Sequence, residues 1–392
     1  GGLMSDPKTA KTVLILGGGA GGIVAANTLR KLLPRQYRIV VIDQEDKHLF
    51  ASSLLWVMVG MRREDQIVRP LDRLNRKGID FIKGRIEKIN PEAKSVQVSG
   101  REFSGHAMIV SLGADLVPEN IPGLKEAGRN IYTLDGATAI YKDLMAFQGG
   151  KIVILTANPV YKCPAAPYEA AMLIEYFCRK HGIRSKTEIV LYAAEPGPMG
   201  TAGPEVSSAV RQMVESKGIK YYPTHQVTEV DPKIKRIMFS GGLTANFDLL
   251  FFVPPHRAPE VVKQAGLLGE NGWGVVDRNT LQTKYKDIYA IGDVVAIPLK
   301  MGKPLPKAGV FAHAEAEIVA RNIARQWTGN QGEASSFNGH GQCFIEIGDH
   351  RAGLGSGNFY AEPTPTVKIK APGIAWHLLK LLFEKYWLTR WF

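Results

Sequence analysis

The chain of 392 residues carries three thiols, Cys163, Cys178 and Cys343. As thiolates they would be its strongest nucleophiles and its redox centres. None lies in a C-x-x-C pair, so a zinc ribbon or a thioredoxin-type motif is not indicated. An odd, low count does not read as a structural disulfide framework, although one pair could be redox-active. Cys178 shares a helical face with Leu173 and Ile174 and reads as a small buried hydrophobe. Cys163 is different. It ends the run Lys151-Ile-Val-Ile-Leu-Thr-Ala-Asn-Pro-Val-Tyr-Lys-Cys163, which starts as a buried strand that should feed a glycine-rich turn. Asn158, Pro159, Pro164 and Pro167 surround the thiol instead. The chain thus keeps one glycine turn near its start and replaces the second by a cysteine site.

The elements that must position these groups follow from hydrophobic period. Thr12 to Asp43 reads as strand, glycine turn, helix, strand, with Val13-Leu-Ile-Leu16 as a central parallel strand. The helix covers Ile23 to Leu33 and stops at Pro34. Phe81 to Val98 reads as a meander of short strands and Ala107 to Leu112 as a buried strand. A second βαβ pattern begins at Lys151, with a helix over Tyr168 to His181 and a strand over Glu188 to Ala193. Phe247 to Val253 matches Ala107 to Leu112 in character. Ile288 to Ile291 is a last strand, Val310 to Gln326 a last long helix, and Ala361 to Lys370 a linker. The expected fold class is α/β: two tandem, nested Rossmann-like dinucleotide-binding domains with a C-terminal amphipathic tail. The expected division is 5–114 and 281–355 for the first domain, 115–280 for the second, and 356–392 for linker and tail.

Gly17-Gly-Gly19-Ala-Gly-Gly22 matches G-x-G-x-x-G between a strand and a helix. Gly17 permits the turn, Gly19 admits the pyrophosphate, and Gly22 lets helix pack on strand. The helix N-terminus offers N–H groups to phosphate. Asp43, 21 residues beyond Gly22, can bind a ribose hydroxyl, with Gln44 beside it. Thr283-x5-Tyr289-Ala-Ile-Gly292-Asp293 resembles the late FAD motif of flavoproteins with two dinucleotide-binding domains. The resemblance implies that Asp293 binds the ribityl chain. Ile109-Val-Ser111-Leu-Gly113-Ala114 resembles their middle crossover motif, with Ser111 in place of Thr. FAD is therefore the expected cofactor.

The cysteine contexts narrow the resemblance. Cys163-Pro-Ala-Ala-Pro-Tyr-Glu169 and Gly341-Gln-Cys343-Phe-Ile-Glu-Ile-Gly348 resemble segments of sulfide:quinone oxidoreductases and flavocytochrome c sulfide dehydrogenases. So do Lys307-Ala-Gly309-Val-Phe311 and Ser53-Leu-Leu-Trp56-Val-Met-Val-Gly60-Met-Arg62. The resemblance implies a flavin-dependent enzyme in which Cys163 and Cys343 form a redox pair that sulfide attacks. Cys343 would hold the persulfide and Cys163 would address the flavin. Glu169 would act as acid/base, and Lys307 and Gly309 would sit at the flavin edge. The third catalytic cysteine of many sulfide:quinone oxidoreductases is missing from Asp115 to Tyr132, which leaves a two-cysteine cycle. The family histidine near Pro198-Met-Gly200 is also missing. The tethering cysteine of the flavocytochromes would fall near Ser52, so FAD is expected to be noncovalent. His48, His256, His313 and His340 show no metal-ligand spacing and read as surface or packing residues.

Pro372 to Phe392 is aromatic, leucine-rich and basic. His377, Lys380 and Glu384 share one helical face, and Leu378, Leu379, Leu382 and Phe383 lie across from it. Such a helix suits the plane of a membrane interface, and Trp376, Trp387 and Trp391 suit the headgroup region; the alternative is an amphipathic helix docked on the protein's own core or on a dimer partner. Its Phe-Glu-Lys-Tyr run resembles the membrane-anchoring end of sulfide:quinone oxidoreductases. A membrane quinone is then the implied acceptor, with Phe311 and Phe344 as candidate contacts on the flavin face away from the thiols. Hydrophobic residues make up 45% and charged residues 22%, which indicates an ordinary globular chain. The net charge of +12 suits anionic partners. No Lys/Arg run of five or nucleic-acid motif occurs, so no nucleic-acid partner is expected. Gly1-Gly2-Leu3 reads as an appended lead before Met4. The absence of a signal peptide favours the cytoplasmic face of the cell membrane as location. Homo-oligomerisation is left open.

Three other functions compete. A sulfide dehydrogenase that reduces a cytochrome c lacks an export signal here. A type II NADH:quinone oxidoreductase needs a second glycine fingerprint after Leu155, which Thr156-Ala-Asn-Pro-Val160 does not supply. A non-catalytic FAD scaffold would hold a flavin that no donor reduces. A disulfide reductase is disfavoured because no close-spaced cysteine pair follows the first helix.

Overall fold

The computed structural model describes residues 10–329 and 332–392. The expected start of the first domain, residues 5–9, lies outside the described residues, as do residues 1–4.

Two five-stranded sheets form the frame. In the first, Thr12–Leu16 sits at the centre, parallel to Arg38–Asp43 on one side and Ala107–Val110 on the other. Asp80–Lys83 extends it past Arg38–Asp43, and Ile288–Ala290 closes the opposite edge. Val13, Leu14, Ile15 and Leu16 are all buried. A strand covered on both faces needs such an unbroken apolar run. The second sheet runs Arg129–Asn130, Leu249–Val253, Gly150–Thr156, Thr187–Tyr192, Lys220–Tyr222, all parallel. Each sheet has a helix crossing from its central strand, Ala20–Leu32 in the first and Ala166–Lys180 in the second. Each also carries a three-stranded antiparallel meander ahead of its returning strand, at 86–104 and at 227–246.

Helix and strand bounds agree with the periodicity to within about three residues. One element does not. The stretch read as a linker over Ala361 to Lys370 contains the start of a strand, Thr366–Gly373. It pairs with Arg351–Asn358, which pairs in turn with His340–Gly348. The alternation Thr-Val-Lys-Ile-Lys supports the strand, with Val367 and Ile369 turned inward and Lys368 and Lys370 outward. Its proline and threonine neighbours masked that period.

The tail is a 17-residue helix, Ile374–Arg390. It packs on the C-terminal sheet and against the first domain. Among the described residues no helix is long and apolar enough to cross a membrane.

Candidate functional site

One cavity of about 790 Å³ runs from the first glycine turn to the two thiols. Its first end is built from backbone. Gly17 has φ +104°, and a Cβ there would sit 2.3 Å from the Ser111 carbonyl. At Gly22 a Cβ would sit 1.9 Å from the Gly17 carbonyl. At Gly19 a Cβ would meet nothing within 4 Å, because that face opens on the cavity. Gly17 thus makes the turn, Gly22 permits the close packing, and Gly19 leaves open space on the cavity side, the geometry that the motif's spacing calls for. Ser111 Oγ donates to the carbonyls of Leu16 and Gly17 and ties the crossover to the turn. Gly113 and Gly292 line the cavity with φ +71° and +76°.

Asp43 ends its strand at the cavity wall and accepts from the N–H groups of Gly18 at 2.7 Å and Glu45 at 2.8 Å. Burial lifts its pKa above the ordinary carboxylate value. Gln44 and Asp293 line the same wall. The helix Gly309–Trp327 begins there with no side-chain cap, so its first N–H groups are available to a bound anion. A long phosphate-bearing cofactor of the FAD type fits this cradle: an open glycine face, an acid at the second strand end, and an uncapped helix start.

Lys307 is placed differently from the expectation. Its ammonium is buried, donates to the carbonyls of Asp293 and Val295, and lies 3.7 Å from the Trp273 ring centre. It braces the loop and does not face the cavity. Burial lowers its pKa to about 8. Its own carbonyl accepts from the N–H of Cys163 at 2.6 Å, so it holds the thiol loop. Gly309 does line the cavity.

The other end carries the sulfur groups. Cys163 and Cys343 are both free and half-buried, and both line the cavity. Cys163 has φ +52°, a left-handed conformation that few side chains adopt. The helix Ala166–Lys180 starts just after it and presents Glu169. Glu169 accepts from the N–H of Glu346, on the strand that holds Cys343, at 2.8 Å. Burial, and then Asp293, push the Cys163 thiol up to about 12. Burial, and then Glu169, push Cys343 to about 12. The sequence-predicted trio Cys163, Cys343 and Glu169 thus meets in one place, and Cys178 lies buried apart from it.

Phe344 lines the cavity beside Cys343. Phe311 does not. It is buried against Phe337 and Phe359, because helix Gly309–Trp327 turns that side chain to the core. The aromatic lining comes instead from Phe50, Phe383 and Trp387.

Sequence reasoning held docking on the protein's own core as the alternative for the tail, but it did not say which face would dock. His377, Lys380, Glu384 and Trp387 are buried, while Leu378, Leu379, Leu382 and Phe383 are exposed. The polar face is the one that docks. Lys380 reaches the cavity, lies 3.6 Å from Glu169, and stacks over Trp56 at 4.9 Å. Glu384 receives Arg62 at 3.0 Å and Ser53 at 2.5 Å. His377 Nδ1 lies 2.8 Å from Glu346. Trp387 and Trp391 are buried, so they do not occupy a headgroup region. Trp387 donates to His48 Nε2 at 3.1 Å, and His48 Nδ1 meets the Gly18 carbonyl at 2.9 Å. That chain of bonds needs a neutral imidazole with its proton on Nδ1. Burial holds the His48 pKa near 4, in agreement. His48 is therefore no surface residue: it links the tail to the phosphate turn.

The second domain has an equivalent of Asp43. Glu195 follows the strand Thr187–Tyr192, as Asp43 ends Arg38–Asp43. Its carboxylate is fully engaged inside, accepting from Tyr161 at 2.5 Å, Thr156 at 2.8 Å and Tyr168 at 2.8 Å.

Comparisons with known proteins agree with this architecture. Residues 11–316 match the family model described as pyridine nucleotide-disulphide oxidoreductase. The chain is 29% identical to the sulfide-quinone reductase of Aquifex aeolicus, over 97% of this chain and 91% of the relative. It is 27% identical to the mitochondrial sulfide:quinone oxidoreductase of Mus musculus, over 90% and 79%. A type II NADH:quinone oxidoreductase of Staphylococcus saprophyticus is 24% identical, over 80% and 82%. The X-ray structure of the Aquifex aeolicus sulfide:quinone oxidoreductase superposes with a TM-score of 0.87 at 28% identity, over 97% of this chain and 91% of that one. With the two-sheet frame, the glycine cradle and the matched span in agreement, the chain belongs to the pyridine nucleotide-disulphide oxidoreductase family.

Proposed function

We propose that the protein is an FAD-dependent sulfide:quinone oxidoreductase, held on a membrane surface by its C-terminal helix. The observation that carries this reading is the convergence of Cys163, Cys343 and Glu169 at the far end of a cavity that begins at the phosphate turn. The similarity to named sulfide:quinone oxidoreductases over nearly the whole chain supports the same activity.

FAD, held noncovalently by Gly17, Gly19, Gly22, Asp43, Gln44, Ser111, Gly113, Gly292, Asp293 and Gly309, supplies a two-electron relay. The protein's own chemistry is thiol–disulfide exchange. In the oxidised pair, Cys163 and Cys343 are bridged. A sulfide anion attacks the Cys343 sulfur, an S–S bond forms there, and the bridge breaks. Cys343 then carries a persulfide and Cys163 a thiolate with the electron pair. The substrate sulfur is oxidised by two electrons and the bridge is reduced by two, which leave through the flavin to quinone. Glu169 takes the proton from hydrogen sulfide or a persulfide. Lys380 steadies negative charge at that end.

The quinone approaches from the tail side, where Phe344, Phe383, Trp387 and Phe50 line the cavity. The exposed ridge Ile374, Leu378, Leu379, Leu382, Phe383 and Tyr386 lies in the membrane interface. The helix is amphipathic in the inverse sense to a core helix: charges face the protein and leucines face out. The working division remains 5–114 with 281–355, 115–280, and 356–392, although its last boundary cuts the strand Arg351–Asn358 and parts Thr366–Gly373 from the sheet it completes. NADH is not the donor, because the Glu195 carboxylate is occupied by tyrosines and no second glycine turn exists.

The test is anaerobic titration of the oxidised protein with sulfide. The flavin absorbance should bleach, and Cys343→Ala should abolish bleaching. A soluble quinone should restore the oxidised spectrum. Bleaching by NADH and not by sulfide would sink the proposal.

A further inference from the structure

A second cavity, of about 460 Å³, opens beside the tail helix and apart from the flavin cavity. Arg62, Asp65, Arg69, Glu384, Lys385 and Thr389 contribute to its lining. Its charges do not cancel evenly. Arg62 is spent on Glu384 at 3.0 Å, and Asp65 is spent on Arg63 at 3.1 Å. Arg69 and Lys385 form no ion pair among the described residues. The Arg69 guanidinium is fixed by the carbonyls of Val68 at 2.7 Å, Leu388 at 3.2 Å and Gln66 at 3.3 Å, so its position is set before any ligand arrives. Burial and then Arg73 depress the ionisation of Arg69, and Glu384 opposes them, so both signs of charge bear on this guanidinium.

Position selects the ligand. Leu382, Lys385 and Thr389 stand at i, i+3 and i+7, on one side of the helix. Leu382 is the most exposed residue of the outward apolar ridge, at 64%. The cationic cleft therefore borders that ridge, as a headgroup site borders acyl chains.

We propose that this cleft binds the phosphate of an anionic phospholipid, with Arg69 and Lys385 as its ligands and the leucine ridge under its acyl chains. The inference rests on the interfacial reading of the tail helix, and the test separates the two. Holoprotein is titrated with monomeric dihexanoyl phosphatidylglycerol, with dihexanoyl phosphatidylcholine, and with inorganic phosphate. Its partition onto phosphatidylcholine vesicles, with and without phosphatidylglycerol, is measured alongside. Saturable one-to-one binding of the short-chain phosphatidylglycerol is expected, weakened about five-fold for each cation removed by Lys385→Gln or Arg69→Gln. Lys385→Gln is the safer variant, since that side chain holds no backbone, and Lys368→Gln, on the C-terminal sheet, is the control that should leave this binding unchanged. Leu378→Gln/Leu382→Gln should abolish vesicle binding and keep one-to-one headgroup binding. Loss of vesicle binding in neither leucine variant nor cation variant overturns the interfacial reading and this one together. Unchanged short-chain binding in Lys385→Gln and Arg69→Gln overturns the headgroup site alone. Equal affinity for inorganic phosphate would make it a free-anion site and overturn the lipid assignment.

Discussion

At the scale of single residues, Cys163 and Cys343 are half-buried thiols that their surroundings hold neutral. Burial comes first in raising both to about 12, and the nearby carboxylates of Asp293 and Glu169 add to it. As a dithiol the pair is a poor nucleophile; as a disulfide it is a good electrophile for a small anion. At pH 8 a thiol with this pKa is ionised roughly a thousand-fold less than one at 9, while the intrinsic reactivity of its thiolate is higher by one to two powers of ten. Alkylation of the reduced protein at these two positions should run roughly 10- to 100-fold slower than free cysteine at pH 8. The rate should climb past pH 9 without levelling. Iodoacetamide labelling followed by peptide mass spectrometry measures this, and a plateau near pH 9 would refute the buried-neutral picture. That Cys163 and Cys343 share a cavity with Glu169 was implied by the local sequence around each thiol. The misplaced residues, Lys307 and Phe311, failed for one reason: motif position gives the loop and not the side-chain direction. Lys307 had buried carbonyls of Asp293 and Val295 to satisfy, and an ammonium nearer than any ligand does that.

At the scale of elements, the tail helix shows what a periodic pattern leaves undecided. The sequence separates a polar face, His377, Lys380 and Glu384, from a leucine face. It does not say which face turns inward, and the general rule would bury the leucines. Here the receiving surface is itself polar: Glu346, Glu169, Arg62 and Ser53 wait under the helix. Those partners lie hundreds of positions away in the chain, out of reach of local period. The dock is titratable. Burial lifts Glu346 from the ordinary 4.5 to about 7, while burial, Lys380 and Arg62 lower His377 below 6.5. A raised carboxyl contributes stability that is complete below its unfolded pKa and is lost as pH rises through its folded one. The lowered histidine works oppositely, losing stability as pH falls below 6.5. The Glu346 contribution should therefore vanish between about pH 5 and 8. The melting temperature of Glu346→Gln minus that of wild type should rise across this window, read by scanning calorimetry at matched ionic strength. A difference that stays flat would mean that Glu346 is already ionised beneath the helix. Trp387→Ala should cost about 3–5 kcal/mol of local stability, as loss of a large buried aromatic does. Limited proteolysis should then release the tail, and through His48 the phosphate turn should hold flavin more weakly.

At the scale of the whole molecule, the two halves are copies of one plan put to different uses. Both have a five-stranded parallel sheet, a crossover helix after the central strand, a three-stranded meander, and an acid at the end of the second strand. In the first half that acid, Asp43, keeps an oxygen at the cavity wall, and the turn before the helix is glycine. In the second half the turn is Thr156-Ala-Asn-Pro, and the path to the acid is filled. Tyr161 and Tyr168 point their hydroxyls at Glu195, and Thr156 adds a third. Burial raises Glu195, and the three hydroxyl donors draw it back, so the carboxylate is satisfied without a ribose. The missing glycines could be read from the sequence. The filled pocket could not, because Tyr161, Tyr168 and Glu195 come from a loop, a helix and a strand end. The chain is also similar to a type II NADH:quinone oxidoreductase, so the donor is tested directly. NADH at millimolar concentration should leave the flavin oxidised for minutes under anaerobic conditions, while sulfide bleaches it at once. Glu195→Gln should not change this outcome, since removing the charge leaves both rings in place. Tyr161→Gly, which empties the space, should still fail to bring in NADH, because no glycine turn awaits the pyrophosphate. Rapid reduction by NADH in wild type, or in the tyrosine variant alone, would show that the second nucleotide site is closed by less than the structure implies.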